Sequence, residues 1–370
     1  MSGAILLTGA TGFLGMDALA RLIEREGEQI VVLVRARDDD EARERLETVL
    51  ARLYDEPPAA AAQVRAVRGD LLQPGLGLSV KDRERLIGSV DRIIHCAASI
   101  SFELPLAEAR ETNVEGVARV IELARGIAAE GSLRRLVHVS TAYVSGRHAG
   151  EFGEEDLDVG QEFRNTYERS KNEAEHLLRG ALDLPLVVAR PSIVVGHQAS
   201  GWTPVFNVLY WPLRAFARGL FTAVPAIPTA PVDVVSVDYV ADAVHALCES
   251  EGGIGETYHL TAGAGASTMG EIAQLASRYF RRPLPRVLSP AEFAALEGGS
   301  VERSALDASR IYFPYFAIDT VFDQAATQAR LEPQGIRVTP LRDYLERLLD
   351  FATRSRWGKR PIARVDAVPT

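Results

Sequence analysis

The sequence predicts an α/β fold, a doubly wound parallel sheet with a smaller, mainly helical C-terminal lobe. Two observations carry this. Short, nearly all-apolar runs alternate with helical patterns through the first half of the chain, and a glycine-rich turn stands directly after the first of those runs. Strands that are apolar on both faces belong to a sheet covered by helices on both sides.

The first strand is expected at Ala4–Leu7, a run that ends in Thr8-Gly9, and a helix follows over 13–26. The beat repeats as strand Ile30–Val34 and helix 38–54, strand Val64–Val67 and helix 81–88, strand Ile93–Ile94 and helix 112–129. It continues with strand Leu136–Val139, a helix from 165 to 180 and strand Leu186–Ala189, while Pro57–Ala62 reads as a loop. After Arg190-Pro191 the texture changes, with prolines at 204, 212, 225, 228 and 231 and the aromatics Trp202, Phe206, Tyr210, Trp211, Phe216 and Phe221. Val232–Val237, a helix at 239–249 and a short strand at 257–260 restore the alternation, and the remainder is helical and loop-rich with a Pro/Phe/Tyr cluster at 312–316. A cofactor core is therefore expected at 1–200, with 232–262 returning to it, and a substrate lobe at 201–231 and 263–370.

Composition bounds the function. The 370 residues are 47% hydrophobic and 25% charged, which excludes disordered, collagenous and disulfide-scaffold classes. Against 50 Asp+Glu stand 41 Lys+Arg, a net charge of −9, so no global positive field exists to hold a nucleic acid. Cys96 and Cys248 offer neither a disulfide framework nor metal-ligand spacing; no metal is expected, and a reducing, cytoplasmic setting is. The first apolar run follows no basic region and reads as a strand, not as a signal peptide. No apolar window reaches the roughly 18 residues of a membrane span. Peripheral membrane contact stays open.

Thr8-Gly9-Ala10-Thr11-Gly12-Phe13-Leu14-Gly15 closes the first strand and opens the first helix, the setting of a Rossmann-type dinucleotide loop. Gly9 permits the tight turn, Gly12 the approach of a pyrophosphate and Gly15 close helix–strand packing, with the anion on the helix N-terminus. The second strand ends in Val34-Arg35-Ala36-Arg37, where NAD-specific folds place an acidic residue and NADP-specific ones an arginine. Arg35 thus argues for NADPH, with Arg45 and Arg37 as further candidates for the 2′-phosphate. The acidic run Asp38–Glu41 beside them reads as a helix N-terminal turn.

Tyr167 and Lys171, at i and i+4, share one face of the helix expected from 165. A neighbouring ammonium is expected to lower the phenol pKa. Thr141, after Ser140 at the C-terminal end of a strand, supplies a hydroxyl where ligands of open α/β sheets collect. Together these groups can bind an oxyanion.

In order and spacing, the glycine loop, Arg35, Ser140-Thr141 and Tyr167/Lys171 resemble the extended short-chain dehydrogenase/reductase superfamily over residues 1–262. Further motifs narrow this: Gly69-Asp70-Leu71 with Pro74–Ser79, Ile93-Ile-His95-Cys-Ala97-Ala98, Thr112-Asn113-Val-Glu-Gly116, His138-Val-Ser-Thr-Ala-Tyr143 and Arg190-Pro191-Ser192-Ile193. They resemble the thioester-reductase and fatty acyl-CoA reductase branch, which includes the terminal reductase domains of carboxylic acid reductases and peptide synthetases. The resemblance implies that Asp70, Leu71, Ala97 and Ala98 border the adenine and ribose, and that Pro191, Ser192 and Ile193 lie against the nicotinamide. It also implies that Asn113 sits at a distorted helix beside the active site, among the cofactor-contacting residues.

The activity so implied is NADPH-dependent reduction of an acyl thioester to an aldehyde, with an alcohol as a further product. Tyr167 would donate the proton, Thr141 and Tyr167 would stabilise the oxyanion, and Lys171 would hold the nicotinamide ribose. Because the chain opens on the first strand, the thioester is expected on coenzyme A or on a separate carrier protein. Segment 202–231 is expected to form an apolar lid over an acyl chain, with an ordinary core of the second lobe and an interfacial membrane helix as the other readings, and Arg214 and Arg218 are candidates to meet a phosphate or are surface charges. Two alternatives keep the fold: an NADP-dependent alcohol/ketone oxidoreductase of the hydroxysteroid dehydrogenase or dihydroflavonol reductase type, and a non-catalytic NADP(H)-sensing protein. A monomer or a homodimer is expected.

Overall fold

Seven of the apolar runs assemble into one parallel sheet: β1 (Ala4–Thr8), β2 (Ile30–Val34), β3 (Val64–Arg68), β4 (Val90–His95), β5 (Arg135–Val139), β6 (Leu186–Pro191) and β7 (Thr257–Leu260). The computed structural model describes residues 3–25, 29–131, 133–220, 223–289, 292–293 and 310–367; Phe221 and position 26 of the first predicted helix lie outside the described residues. The strand order is β7-β6-β5-β4-β1-β2-β3, with every pairing parallel. The chain runs outward from β1 to β3 and then returns to the other side of β1 as β4. The crevice between β1 and β4 is therefore the switch point, where such sheets take their ligands.

Successive side chains of a strand point to opposite faces, and both faces here are apolar. Ile5, Leu7, Val32, Val137 and Val187 pack on one face against Met16 and Leu19 of α1 (Phe13–Glu24) and Leu46 of α2 (Asp39–Leu53). Ala4, Leu6, Val31, Leu136 and Leu186 pack on the other. They meet Leu86 of α3 (Val80–Ser89), Val117 and Leu123 of α4 (Gly116–Ala129) and Leu178 of α5 (Thr166–Arg179). Local capping fixes several starts: Asp38, Ser79 and Asn165 each accept from the backbone N–H three residues on.

Three local expectations change. The helix predicted from 112 begins earlier, at Leu106–Arg110, and passes through one π-helical turn at Glu111–Glu115 before α4. The expected loop at 57–62 contains the 3₁₀ helix Ala59–Gln63. Val232–Val237 does not enter the main sheet: Pro231–Val232 pairs with Ser267–Thr268, and Val234–Ser236 pairs with Ile193–Val195.

The lobe carries α6 (Tyr210–Ala217); α7 (Val237–Glu249) then returns to the core under β5, the lobe resumes with α8 (Met269–Phe280), α9 (Ala325–Leu331) packs Leu331 into the core beside β7, and α10 (Leu345–Arg354) returns to the lobe. Its apolar centre joins Tyr143, Phe152, Tyr210, Phe316, Leu345 and Leu348. The chain's end, expected with this lobe, crosses back: Arg364 and Val365 donate backbone bonds to Arg52 and Leu53 at the end of α2 (2.9 and 3.2 Å). Among the described residues, no helix is long and apolar enough to cross a membrane.

Candidate active site

The loop after β1 turns at Gly9, whose φ of +78° is a left-handed conformation that favours glycine. A Cβ at Gly9 would meet Ala97 N at 2.6 Å, and one at Gly15 would meet the Gly9 carbonyl at 2.0 Å, so β1, the β4 exit and α1 close on one another only through glycine. Gly12 is the N-cap of α1 and brings no side chain to it, which leaves the helix N-terminus free for an anion. Thr11 and Gly12 are exposed at the loop tip, Phe13 and Leu14 half-buried behind them. Thr8 turns inward: its hydroxyl bonds to His95 Nδ1 at 2.6 Å and accepts from Ala97 N at 3.3 Å.

At the end of β2 the three arginines separate by their partners. Glu41 accepts from Arg37 Nε at 2.9 Å and from Arg45 Nη2 at 3.1 Å. Hydrogen bonds from the Arg37 backbone and side chain hold its carboxyl down to about 2. Arg35 is exposed and forms no ion pair among the described residues. Arg68, at the neighbouring end of β3 and opposite Val34, donates to the Arg37 carbonyl at 3.1 Å. Asp70 closes the next turn, accepting from Leu72 N at 3.0 Å, and the Leu71 carbonyl accepts from Arg119 at 2.7 Å. These loops all stand at the C-terminal edge of the sheet. Ala98 is half-buried in the exit from β4, and Pro191, Ser192 and Ile193 are buried at the exit from β6.

Thr141 follows β5, is 4% exposed, and caps the 3₁₀ turn Ala142–Ser145. Tyr167 stands in the first turn of α5, half-buried, and Thr141 hydrogen-bonds its phenol. Enclosure pushes that phenol up to about 12, with Thr141 opposing and Glu168 adding to the rise. The expected lowering by Lys171 is absent because the ammonium turns to the strand. Lys171 Nζ donates to the Val139 carbonyl at 2.9 Å and lies 3.2 Å from His138 Nε2. Burial lowers it to about 8, against the opposing influence of Glu175 and Cys96.

Asn113 sits in the π-helical turn, 1% exposed. Its Oδ1 accepts from Ser99 N at 2.8 Å, and its Nδ2 donates to the Ser99 carbonyl at 3.0 Å and to Ser170 Oγ at 2.9 Å. The widened turn aims the amide between the β4 exit loop and α5.

Other residues at the site carry no local sequence signal. Phe102 places its ring 5.8 Å from Tyr167, 6.0 Å from Tyr312 and 5.4 Å from Tyr315. Tyr315 donates to the buried Glu168 at 2.6 Å and accepts from Asn165 at 2.8 Å, while Arg164 stacks over its ring. The 312–316 cluster, visible in the sequence as composition only, thus covers the start of the helix that carries Tyr167. Of the expected lid, Trp202, Tyr210 and Phe216 are buried in the packing, whereas Trp211 is exposed with Arg214 over its ring.

Residues 7–244 match the family model described as male sterility protein. The chain is 32% identical over 275 residues to human fatty acyl-CoA reductase 1, covering 64% of this chain and 53% of that protein. It is 32% identical over 269 residues to a linear gramicidin synthase chain of Brevibacillus parabrevis, covering 70% of this chain and 5% of that one. The chain spans about half the length of the fatty acyl-CoA reductases it matches. Among solved structures, the terminal R domain from the myxalamid biosynthetic pathway aligns with a TM-score of 0.83 at 28% identity, covering 98% of this chain and 94% of that one. The UDP-glucuronic acid 4-epimerase of Bacillus cereus, solved with NAD, aligns with a TM-score of 0.68 at 18% identity and covers 95% of this chain and 99% of that one, a likeness of fold alone.

Proposed function

The chain belongs to the male sterility protein family, and from that premise we propose that it reduces an acyl thioester, on coenzyme A or a carrier protein, to an aldehyde with NADPH. The observation that carries the reading is the convergence of Thr141, Tyr167 and Lys171 at the end of β5, beside the switch-point crevice. The crevice suits a dinucleotide: its glycine turn has no room for side chains, and the N-terminus of α1 is uncapped. When bound, NADPH supplies the hydride.

The chain's own residues do the rest. Gly12 and the first turn of α1 hold the pyrophosphate, and Arg35, which has no acidic partner among the described residues, takes the 2′-phosphate. Thr141 and Tyr167 donate to the carbonyl oxygen as it gains charge. A phenol held near 12 stays protonated at neutral pH and is therefore a ready proton donor. Lys171 has one N–H left after Val139 and His138, and that donor holds the nicotinamide ribose. Departure of the thiol from the hemithioacetal leaves the aldehyde; a second reduction would give the alcohol. Residues 1–200 with 232–262 serve the cofactor, and 201–231 with the rest of the lobe serves the acyl chain, under the aromatic cover of Phe102 and Tyr312.

The test is cofactor oxidation against acyl-CoA and carrier-linked thioesters of graded chain length, with NADPH and NADH compared and the product identified by mass. Thioester-dependent oxidation of NADPH with aldehyde or alcohol formed is expected. Turnover of ketones but of no thioester overturns the substrate class, and a clear preference for NADH overturns the role of Arg35.

A further inference from the structure

Behind Lys171 lies a row of polar side chains that the proposed chemistry leaves unused. His138 of β5 and His95 of β4 are register partners, each 1% exposed, with ring centroids 5.1 Å apart. His138 Nε2 is 3.2 Å from Lys171 Nζ, and His95 Nδ1 is 2.6 Å from the Thr8 hydroxyl of β1. Lys171, His138, His95 and Thr8 thus run in one line across the C-terminal edges of β5, β4 and β1.

The donor count decides what His138 does. An ammonium has three protons and no lone pair, so the nitrogen facing it must accept. His138 is then the neutral tautomer with its proton on Nδ1. Its surroundings enforce neutrality: burial, then the charge of Lys171, then His95 hold its pKa well below the ordinary value. Burial and Lys171 likewise hold His95 down to about 3. The other titratable groups facing Lys171 are Cys96 at the exit of β4, kept as a thiol by a pKa pushed up to about 12, and Glu175 on its own helix, which pairs with Arg190 of β6 at 2.7 Å.

We propose that His138 is a positioning residue for Lys171, a fixed neutral acceptor that holds the ammonium in place and in its charged form, with His95 and Thr8 bracing the imidazole from behind. This rests on the reading of Lys171 as the ribose-holding lysine. With Val139 and His138 as the first two acceptors, the third N–H of Lys171 is directed and not free to rotate.

The test compares His138→Phe, which fills the ring space without an acceptor, with His138→Gln, which offers a carbonyl oxygen. A hydrogen bond to a charged group is worth enough to predict a fall in kcat/KM of roughly ten- to a hundred-fold for His138→Phe. The alkaline limb of its pH profile, where Lys171 loses its proton, should move down by about one unit, with partial recovery in His138→Gln. An unchanged rate and profile in a folded His138→Phe enzyme overturns the inference. Nitrogen-15 NMR of the histidine-labelled wild type needs no variant: His138 should show the Nδ1–H tautomer without titrating between about pH 5 and 9. An Nε2–H tautomer, or titration in that range, overturns it. Wild-type turnover in Lys171→Ala would instead overturn the assignment of Lys171 itself; an inactive Lys171→Ala beside an unaffected His138→Phe overturns this inference alone.

Discussion

At Tyr167 burial and the proposed proton donation bear on one side chain. Enclosure raises its phenol to about 12, and its ring packs on Phe102, so proton donation and packing can be separated by removing one oxygen. Tyr167→Phe should lower kcat by roughly 10²–10⁴, the span of general acid catalysis, while tryptophan-quenching titration shows NADPH affinity little changed. Arg35 makes the parallel case for the cofactor. Glu41 engages Arg37 and Arg45 and leaves Arg35 without an acidic partner, so Arg35→Ala should raise KM for NADPH by roughly ten- to a hundred-fold and leave that for NADH unchanged. Initial rates with both cofactors check this. The positions of Thr141, Tyr167 and Lys171 at the end of β5 and the start of α5, and of Arg35 at the end of β2, were legible because motif spacing and strand ends place them. The partners that sort one arginine from another were not, because an acidic run next to basic residues does not say which carboxylate reaches which guanidinium.

At the scale of elements, the helix bearing Tyr167 is held at its start by a distant segment. Tyr315 reaches across 147 positions to donate to Glu168, a carboxylate with 0% exposure, and a second bond joins it to Asn165, the helix N-cap. Burial raises the Glu168 pKa even though Arg164 and Tyr315 oppose the shift, so this carboxylate depends on its donors. Tyr315→Phe keeps the ring stack and removes one of them; denaturant unfolding should show a loss of about 1–3 kcal/mol. The alternation of strands and helices was readable from the apolar runs and supplied the sheet. The π-helical turn at Glu111–Glu115 was not readable from them, and only the resemblance implied a distorted helix at Asn113, since its extra residue is stabilised by what Asn113 touches, Ser99 and Ser170 on two other elements. For the same reason Pro/Phe/Tyr at 312–316 could be seen as a cluster but not as the cover over the start of α5.

At the scale of the whole molecule, the segment around Arg364 closes back onto the core. The sequence places the C-terminal part with the substrate lobe, yet Arg364 returns across 347 positions to Asp17 of α1, at 3.1 Å, and to Glu24, at 2.6 Å. No periodicity reports a pairing over that separation. Asp17 has 0% exposure; burial raises its pKa, and Arg21 and Arg364 act against that rise. Arg364→Ala leaves a buried carboxylate short of its closest cation and should cost roughly 3 kcal/mol near neutral pH. The pH dependence separates charge from packing. A folded-state pKa above the unfolded value means that the native state binds the proton more tightly, so stability is lost as pH rises through the folded pKa. In Arg364→Ala the Asp17 carboxyl rises further, and that loss grows. Glu24 acts with the same sign but further into acid: burial raises it, but its bond to Arg364 brings the net value below the ordinary one, a stabilisation still present at about pH 5 and lost only as pH falls through that lowered value, so the contrast between pH 8 and pH 5 rests on Asp17. The variant's deficit should therefore be larger at about pH 8 than at about pH 5, and Arg364→Lys should recover part of it. Urea unfolding of the three proteins at both pH values measures this. Equal deficits would mean that the strap holds the core through the contacts of its backbone and apolar side chains, with the buried ion pair contributing nothing.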